Sequence, residues 1–193
     1  MSVKVIVDGK CAPRGGSGGR AGGSQGGFTL IELLVTMIVA AVLLAIVVPG
    51  LASFVSSSRL RASQSEFVAA LTLARSEATK RGGDVVVKAL GTVDGSEFLG
   101  GWQVFADTDG DGNLDAGETL IREYAALTGQ MRFAAVEGDT TTKATSTAFN
   151  SRGFLKGPKL KFTLCGPSGA TKGYTIRLEQ VGIADVVEGE SCT

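Results

Sequence analysis

FTLIELLVTMIVAAVLLAIVV, residues 28–48, is 21 residues long and carries a single charge, Glu32. A helix rising 1.5 Å per residue covers about 31 Å over that length, the hydrocarbon thickness of a bilayer. The stretch therefore predicts one transmembrane helix. A cleaved secretory signal is the alternative, but its apolar region runs to roughly 7–15 residues and closes on a small-residue A-x-A site, which does not follow here. Glu32 is the costly member, because a carboxylate in hydrocarbon needs a partner or must reach the headgroups.

The sequence before this stretch has a different character. Residues 1–27 hold Lys4, Lys10, Arg14 and Arg20 against Asp8, a net +3, together with the low-complexity run RGGSGGRAGGSQGG. Such a composition buries no core and reads as disordered. Lys+Arg and Asp+Glu are balanced at 19 each over the chain, so the part beyond residue 27 carries a net −3. Basic residues ahead of the span orient residues 1–27 to the cytoplasm and everything after Pro49 to the outside, although Arg59 and Arg61 reduce the contrast.

Past the span, Pro49 and Gly50 predict a kink or local opening of the helix. Beyond them Leu60, Phe67, Leu71, Ala74 and Ala78 recur on one helical stripe, with Arg61, Glu66, Arg75 and Lys80 off it. That is an amphipathic helix with one face for a sheet to cover. Lys80 and Arg81 suit a helix C-terminus, and Gly82 and Gly83 stop it. The segments expected are 1–27 as a leader, 28–49 as the membrane span, 50–83 as the amphipathic continuation and 84–193 as a β domain.

The β expectation rests on short runs rich in Val, Ile, Phe, Tyr and Thr at 84–90, 101–107, 119–125, 130–136, 147–155, 159–165 and 173–179, most of them bounded by Gly or Pro. No fixed-period repeat is present. The fold class is α+β: a long N-terminal helix packed on an antiparallel β domain.

Chemistry is narrowed by an absence. With no histidine in 193 residues, Ser-His-Asp and Cys-His pairs, His-ligated zinc and a His general base are excluded. No nucleophile, base and oxyanion set is visible, and an enzyme is not expected. The sharpest local motif is Asp107-Thr-Asp109-Gly-Asp111-Gly112-Asn113-Leu-Asp115-Ala-Gly-Glu118, which fits the calcium-loop pattern D-x-[DN]-x-[DN]-G-x₅-E. Carboxylates spaced by two converge, Gly112 permits the turn, Asn113 offers its carbonyl, Asp115 a water bridge and Glu118 two oxygens. The flanks read as strands, so the helices of an EF-hand are missing. Ca²⁺ binding and a plain Asp/Gly hairpin connection both fit; no cofactor is otherwise required.

The run GGFTLIELLVTMIVAAVLLAIVVPG, residues 26–50, resembles the class III signal of type IV pilins and type II secretion pseudopilins. The resemblance implies that a prepilin peptidase cuts between Gly27 and Phe28 and N-methylates Phe28, and that Glu32, fifth in the mature chain, pairs with the Phe28 amine of a neighbouring subunit during filament assembly. The leader is long and glycine-rich beside those common in the family. Further along, GWQVFADTDGDGNLDAGETLIRE (101–123), AFNSRGFLKG (148–157) and KFTLC (161–165) are similar to the GspH/FimT branch of minor pilins and pseudopilins. By that resemblance the fold is pilin-like. The chain is then a minor subunit that initiates or caps a type IV pilus or type II secretion pseudopilus, held in the bacterial inner membrane with its β domain in the periplasm. Its partners are other minor and major pilins or pseudopilins, the prepilin peptidase and the inner-membrane assembly platform.

In that compartment Cys165 and Cys192 lie where oxidation permits a bond, while Cys11 lies in the leader. Paired, they close a loop of roughly 27 residues and contribute about 3 kcal/mol by restricting the unfolded chain; otherwise they remain two free thiols. Some FimT-like minor pilins take up DNA through a basic G-R-x-R motif near the C-terminus, which is the alternative function. The matching stretch here is Gly182-Ile183-Ala184-Asp185, without arginine. A weaker candidate patch is Arg152, Lys156, Lys159 and Lys161, able to neutralise about four phosphates if presented together. Nucleic acid is not an expected partner.

Overall fold

Apolar periodicity after residue 58 becomes burial in the fold. The computed structural model describes residues 27–92, 96–129, 131–167 and 172–192; the leader 1–26, with Cys11, lies outside them. The chain divides after Leu44 into two units, and helix α1, Leu30–Arg81, contributes to both. In the second unit Leu60, Phe67, Leu71, Ala74 and Ala78 are all buried, and Ala70 joins them. The helix ends as its sequence dictates. Gly82 adopts φ 68 and donates its N–H to the Ala78 carbonyl at 3.0 Å, while Lys80 and Arg81 pair with Glu77. The helix does not unwind at Pro49 and Gly50, so the opening that the sequence allowed there is not formed. A proline removes one donor, and the apolar turns on both sides keep theirs.

Among the described residues nine strands follow: β1 Asp84–Ala89, β2 Trp102–Asp107, β3 Thr119–Tyr124, β4 Arg132–Glu137, β5 Ser146–Phe149, β6 Leu155–Lys156, β7 Leu160–Cys165, β8 Lys172–Leu178 and β9 Ala184–Ser191. They form two antiparallel sheets, ordered β3-β2-β1-β5-β6 and β4-β7-β8-β9. Two details differ from the sequence reading. The run 147–155 is two strands around a tight turn in which the Asn150 Oδ1 accepts the N–H groups of Arg152 and Phe154 at 2.9 and 3.2 Å. Asn side chains satisfy backbone donors this way, and Gly153 at φ 77 completes the turn. The second difference is β9, whose ADVVEGES has the charges and glycine that strands disfavour. An edge strand tolerates them because one side faces solvent.

Strand alternation sorts each sheet into two faces. Val85, Val87, Trp102, Val104 and Phe149 of the first sheet, and Phe133, Phe162, Leu164, Ile176 and Leu178 of the second, share one core with the α1 stripe. Phe67 is its hub: its ring meets those of Phe98, Trp102, Phe133 and Phe162 at 4.7–5.4 Å. The other face of the first sheet carries Asp84, Val86 and Lys88 of β1 and Phe105 and Asp107 of β2, by the pairings Asp84↔Asp107 and Val86↔Phe105.

Candidate functional site

The N-terminus of α1 is the first site. Thr29 is its cap: the Thr29 hydroxyl accepts the Glu32 N–H at 3.2 Å, and its carbonyl accepts the Leu33 N–H at 3.2 Å. Thr29-Leu-Ile-Glu32 is the S/T-x-x-E pattern of a capping box, a signal that was present in the sequence and that the reading of Glu32 as a lone intramembrane charge passed over. Glu32 itself is exposed, and Phe28 is 82% exposed. From Leu30 to Val47 the helix is long and apolar enough to cross a membrane, with a mean hydropathy of 2.9 and 0% of the window buried against the chain.

The acidic motif is the connection from β2 to β3. Asp107, the last residue of β2, is 5% exposed, and its two carboxylate oxygens accept the N–H groups of Gly110 (2.8 Å) and Gly112 (3.2 Å). Asp109 accepts the Asp111 N–H, and Asp111 the Asn113 N–H. Glu118, ten residues on from Thr108, accepts the backbone N–H groups of Thr108 (2.6 Å) and Asp115 (3.1 Å), closing the loop on itself. Asp107, Asp109 and Glu118 offer oxygens within 4.8 Å of one another, and so do Asp109, Asp111 and Asp115. Of the six sequence candidates, the five carboxylates thus form two trios that share Asp109. The Asn113 side chain ties the loop together: its Nδ2 donates to the Asp111 carboxylate at 2.8 Å and its Oδ1 accepts from the Lys88 ammonium, which also donates to the Gly112 carbonyl at 3.1 Å. Lys88 projects from the outward face of β1 and fastens the loop to the sheet. A cavity of about 380 Å³ lies there, lined by Val86, Asp107, Gly110, Gly112 and Lys156 among others.

The loop charges feel one another. Hydrogen bonds from the Asn113 side chain and backbone hold the Asp111 carboxyl below its ordinary value. Those from the Thr108 and Asp115 backbone do the same for Glu118. The neighbouring Asp111 charge pushes Asp115 up, with smaller contributions from Asp109 and Glu118. An all-oxygen, anionic donor set of this kind suits a hard cation.

The four basic residues of the candidate nucleic-acid patch are not brought together as one surface. Lys156 lies on the outward face of the first sheet and is ion-paired with Asp84, which raises its pKa. Lys159 is ion-paired with Glu179. Lys161 projects from the outward side of β7 in the second sheet, opposite Arg177. Arg152 sits in the β5–β6 turn. Phosphate binding requires cations that converge and are free of carboxylates, and at least Lys156 and Lys159 have one.

Cys165 and Cys192 form a disulfide with Cα atoms 5.8 Å apart, in the range such bonds require. It ties β7 to the residue after β9.

The model of the prokaryotic N-terminal methylation motif matches residues 23–48, which contain the capped helix start. Among solved structures, the chain is similar to the type IV minor pilin FimU of Pseudomonas aeruginosa (strain PAO1), at 19% identity and a TM-score of 0.56, over 72% of this chain and 99% of that one. It is also similar to the minor pseudopilin EpsH of the type II secretion system of Vibrio cholerae, at 16% identity and a TM-score of 0.50, over 70% of this chain and 98% of that one. At such identities these likenesses establish the fold, a long N-terminal helix with antiparallel sheets. No curated protein sequence matches the chain significantly. The model of the type II transport protein GspH matches residues 63–182, from the buried half of α1 through β8, and the chain belongs to that family, a family of pilin-like structural subunits and not of enzymes.

Proposed function

We propose that the chain is a minor pilin or pseudopilin that initiates or caps the assembly of a type IV pilus or type II secretion pseudopilus. The observation that carries this reading is the window Leu30–Val47, with Glu32 its one charge and 0% of it buried by its own chain. A helix so uncovered needs a bilayer before assembly and a bundle of like helices after it. On this reading the prepilin peptidase cleaves between Gly27 and Phe28 and methylates the Phe28 amine. Residues 1–27 face the cytoplasm, and the β domain stands in the periplasm. Glu32 then meets the Phe28 amine of an adjacent subunit, because a carboxylate in hydrocarbon is held best by a cation, and the pair sets axial register. The assembly platform and other minor and major subunits are the partners.

Mass spectrometry of the protein from its native membrane tests this. The expected N-terminus is Phe28 carrying one added methyl group, and Gly27→Ala is expected to leave the full-length chain in the inner membrane. An N-terminus at another residue overturns the assignment.

For the acidic loop, Ca²⁺ is the ion that the oxygen donors of Asp107, Asp109, Asp111, Asn113, Asp115 and Glu118 favour. Without EF-hand helices its affinity falls in the ~10⁻⁴ to 10⁻³ M range of extracellular calcium modules. The DNA-uptake alternative draws no support from the basic residues, since Lys156 and Lys159 are already paired with Asp84 and Glu179.

A further inference from the structure

The disulfide joins strands that are not neighbours. Cys165 ends β7, Cys192 follows β9, and β8 runs between them. The residue beneath the bond is Gly173, which pairs with Cys165 on one side and with Glu190 on the other. A Cβ placed on Gly173 would stand 2.6 Å from the Cys192 Sγ and 3.3 Å from the Cys165 Sγ, and closer still to the Leu164 carbonyl oxygen. Non-bonded heavy atoms settle at about 3.5–4.0 Å, so the first of these contacts is prohibitive. Gly173 is not among the positive-φ glycines of the chain, so the backbone conformation is one that any residue adopts. What the position requires is empty space, and the Leu164 carbonyl oxygen and the Cys192 sulfur both intrude on it.

The pairing of β8 with β9 explains what the bond accomplishes. The register slips at Gly173/Tyr174, where Tyr174 faces Glu188 and Gly173 faces Glu190. Beyond that bulge only Gly173↔Glu190 and Lys172↔Ser191 remain before the strand ends. Two pairs at the end of a ladder, past a bulge and on a sheet edge, fray readily unless anchored.

We propose that Gly173 is the residue that admits the disulfide. The bond crosses β8 through the volume a side chain would fill, and it latches the C-terminal end of β9 only when residue 173 has none. Its formation takes two electrons and two protons from the two thiols and so needs a disulfide-exchange oxidant. With oxidised glutathione, one cysteine thiolate attacks the glutathione disulfide and expels a glutathione thiolate. The second cysteine thiolate then displaces the other glutathione, leaving one protein disulfide and two reduced glutathiones. A Cβ at 173 obstructs the second displacement, in which the two sulfurs must meet over β8. The inference rests on the β domain alone and is independent of the filament assignment.

The experiment uses the full chain in detergent, reduced and then exposed to oxidised glutathione, with the product mapped by nonreducing peptide mass spectrometry. The wild-type chain is expected to close the Cys165–Cys192 bond, and Gly173→Ala at least tenfold less of it at the same time. The same substitution is then made in a Cys192→Ala background, where the Sγ is gone; there it should lower the melting temperature by less than in the chain with both cysteines. Should Gly173→Ala fail to fold with both cysteines, folding in the Cys192→Ala background supports the proposal and failure in both overturns it. Wild-type yield of the bond in Gly173→Ala, or an equal loss of melting temperature in the two backgrounds, also overturns it.

Discussion

The rings of Phe67 and Trp102 meet edge to face, with centroids 5.1 Å apart and planes at 88°, which joins α1 to β2. The same Phe67 ring touches Phe133 of β4 and Phe162 of β7, both at 4.7 Å. One helix side chain therefore binds both sheets.

Phe67→Ala removes that joint and leaves a cavity lined by aromatic rings, a change that costs about 3–5 kcal/mol. The expected result is a fall of the urea unfolding midpoint with an unchanged slope. A midpoint within experimental error of wild type would show that the two sheets hold together without the helix ring.

Two readings of Glu32 can be separated, the charge proposed to meet the Phe28 amine and the capping-box pattern it forms with Thr29. Glu32→Gln keeps a residue that completes a capping box and removes the charge, while Glu32→Val removes both. Each variant is expected to be processed and inserted normally and to be incorporated poorly into filaments, measured by quantifying the subunit in sheared filament fractions. Wild-type incorporation of Glu32→Gln would assign the residue to helix capping instead of to the Phe28 amine.

Ca²⁺ at a hundredfold excess over its dissociation constant is expected to stabilise the folded chain by about 2.7 kcal/mol, read as a rise in melting temperature. Asp109 belongs to both oxygen trios, so Asp109→Ala should abolish the rise. Lys88 already lends a positive charge at Gly112 and Asn113. Lys88→Met should therefore lower the melting temperature in chelator and enlarge the Ca²⁺ increment. No binding heat in calorimetry and no thermal shift would leave the loop a polar connection.

At the end of α1, hydrogen bonds from Arg81 and then Lys80 hold the Glu77 carboxyl below its ordinary value. A carboxylate whose folded pKa is depressed contributes stability above its unfolded pKa and loses that contribution as pH falls through the folded value. Glu77→Gln is thus expected to lower the melting temperature slightly near pH 7, and the gap to wild type should close below the carboxylate range. A gap that persists at low pH would trace the loss to packing rather than to charge.

Much of the architecture is written along the chain. Apolar residues at helical spacing, Leu60 to Ala78, determined which face of α1 is buried, because burial of a periodic stripe is a local consequence of 3.6 residues per turn. Gly82 after Lys80-Arg81 determined where the helix stops, and Asp and Gly spacing determined an acidic loop between two strands. The long apolar run carrying Glu32 as its one charge marks the membrane-competent segment by composition alone. Other features depended on partners distant in sequence. Strand β9 was invisible as ADVVEGES, because an edge position, not its own propensity, makes those residues acceptable. Lys88 lies 25 residues from Asn113 and became the anchor of the acidic loop only through the β1–β2 pairing. Lys156 and Lys159 looked like a basic patch in one dimension, and the fold gave each a carboxylate from elsewhere, Asp84 and Glu179. Sequence alone determined the periodic and punctuated elements, whose causes are local. Only the tertiary structure decided which charges are spent on each other and which glycine must stay bare beneath a bond, because those depend on contacts that the chain makes with itself across strands.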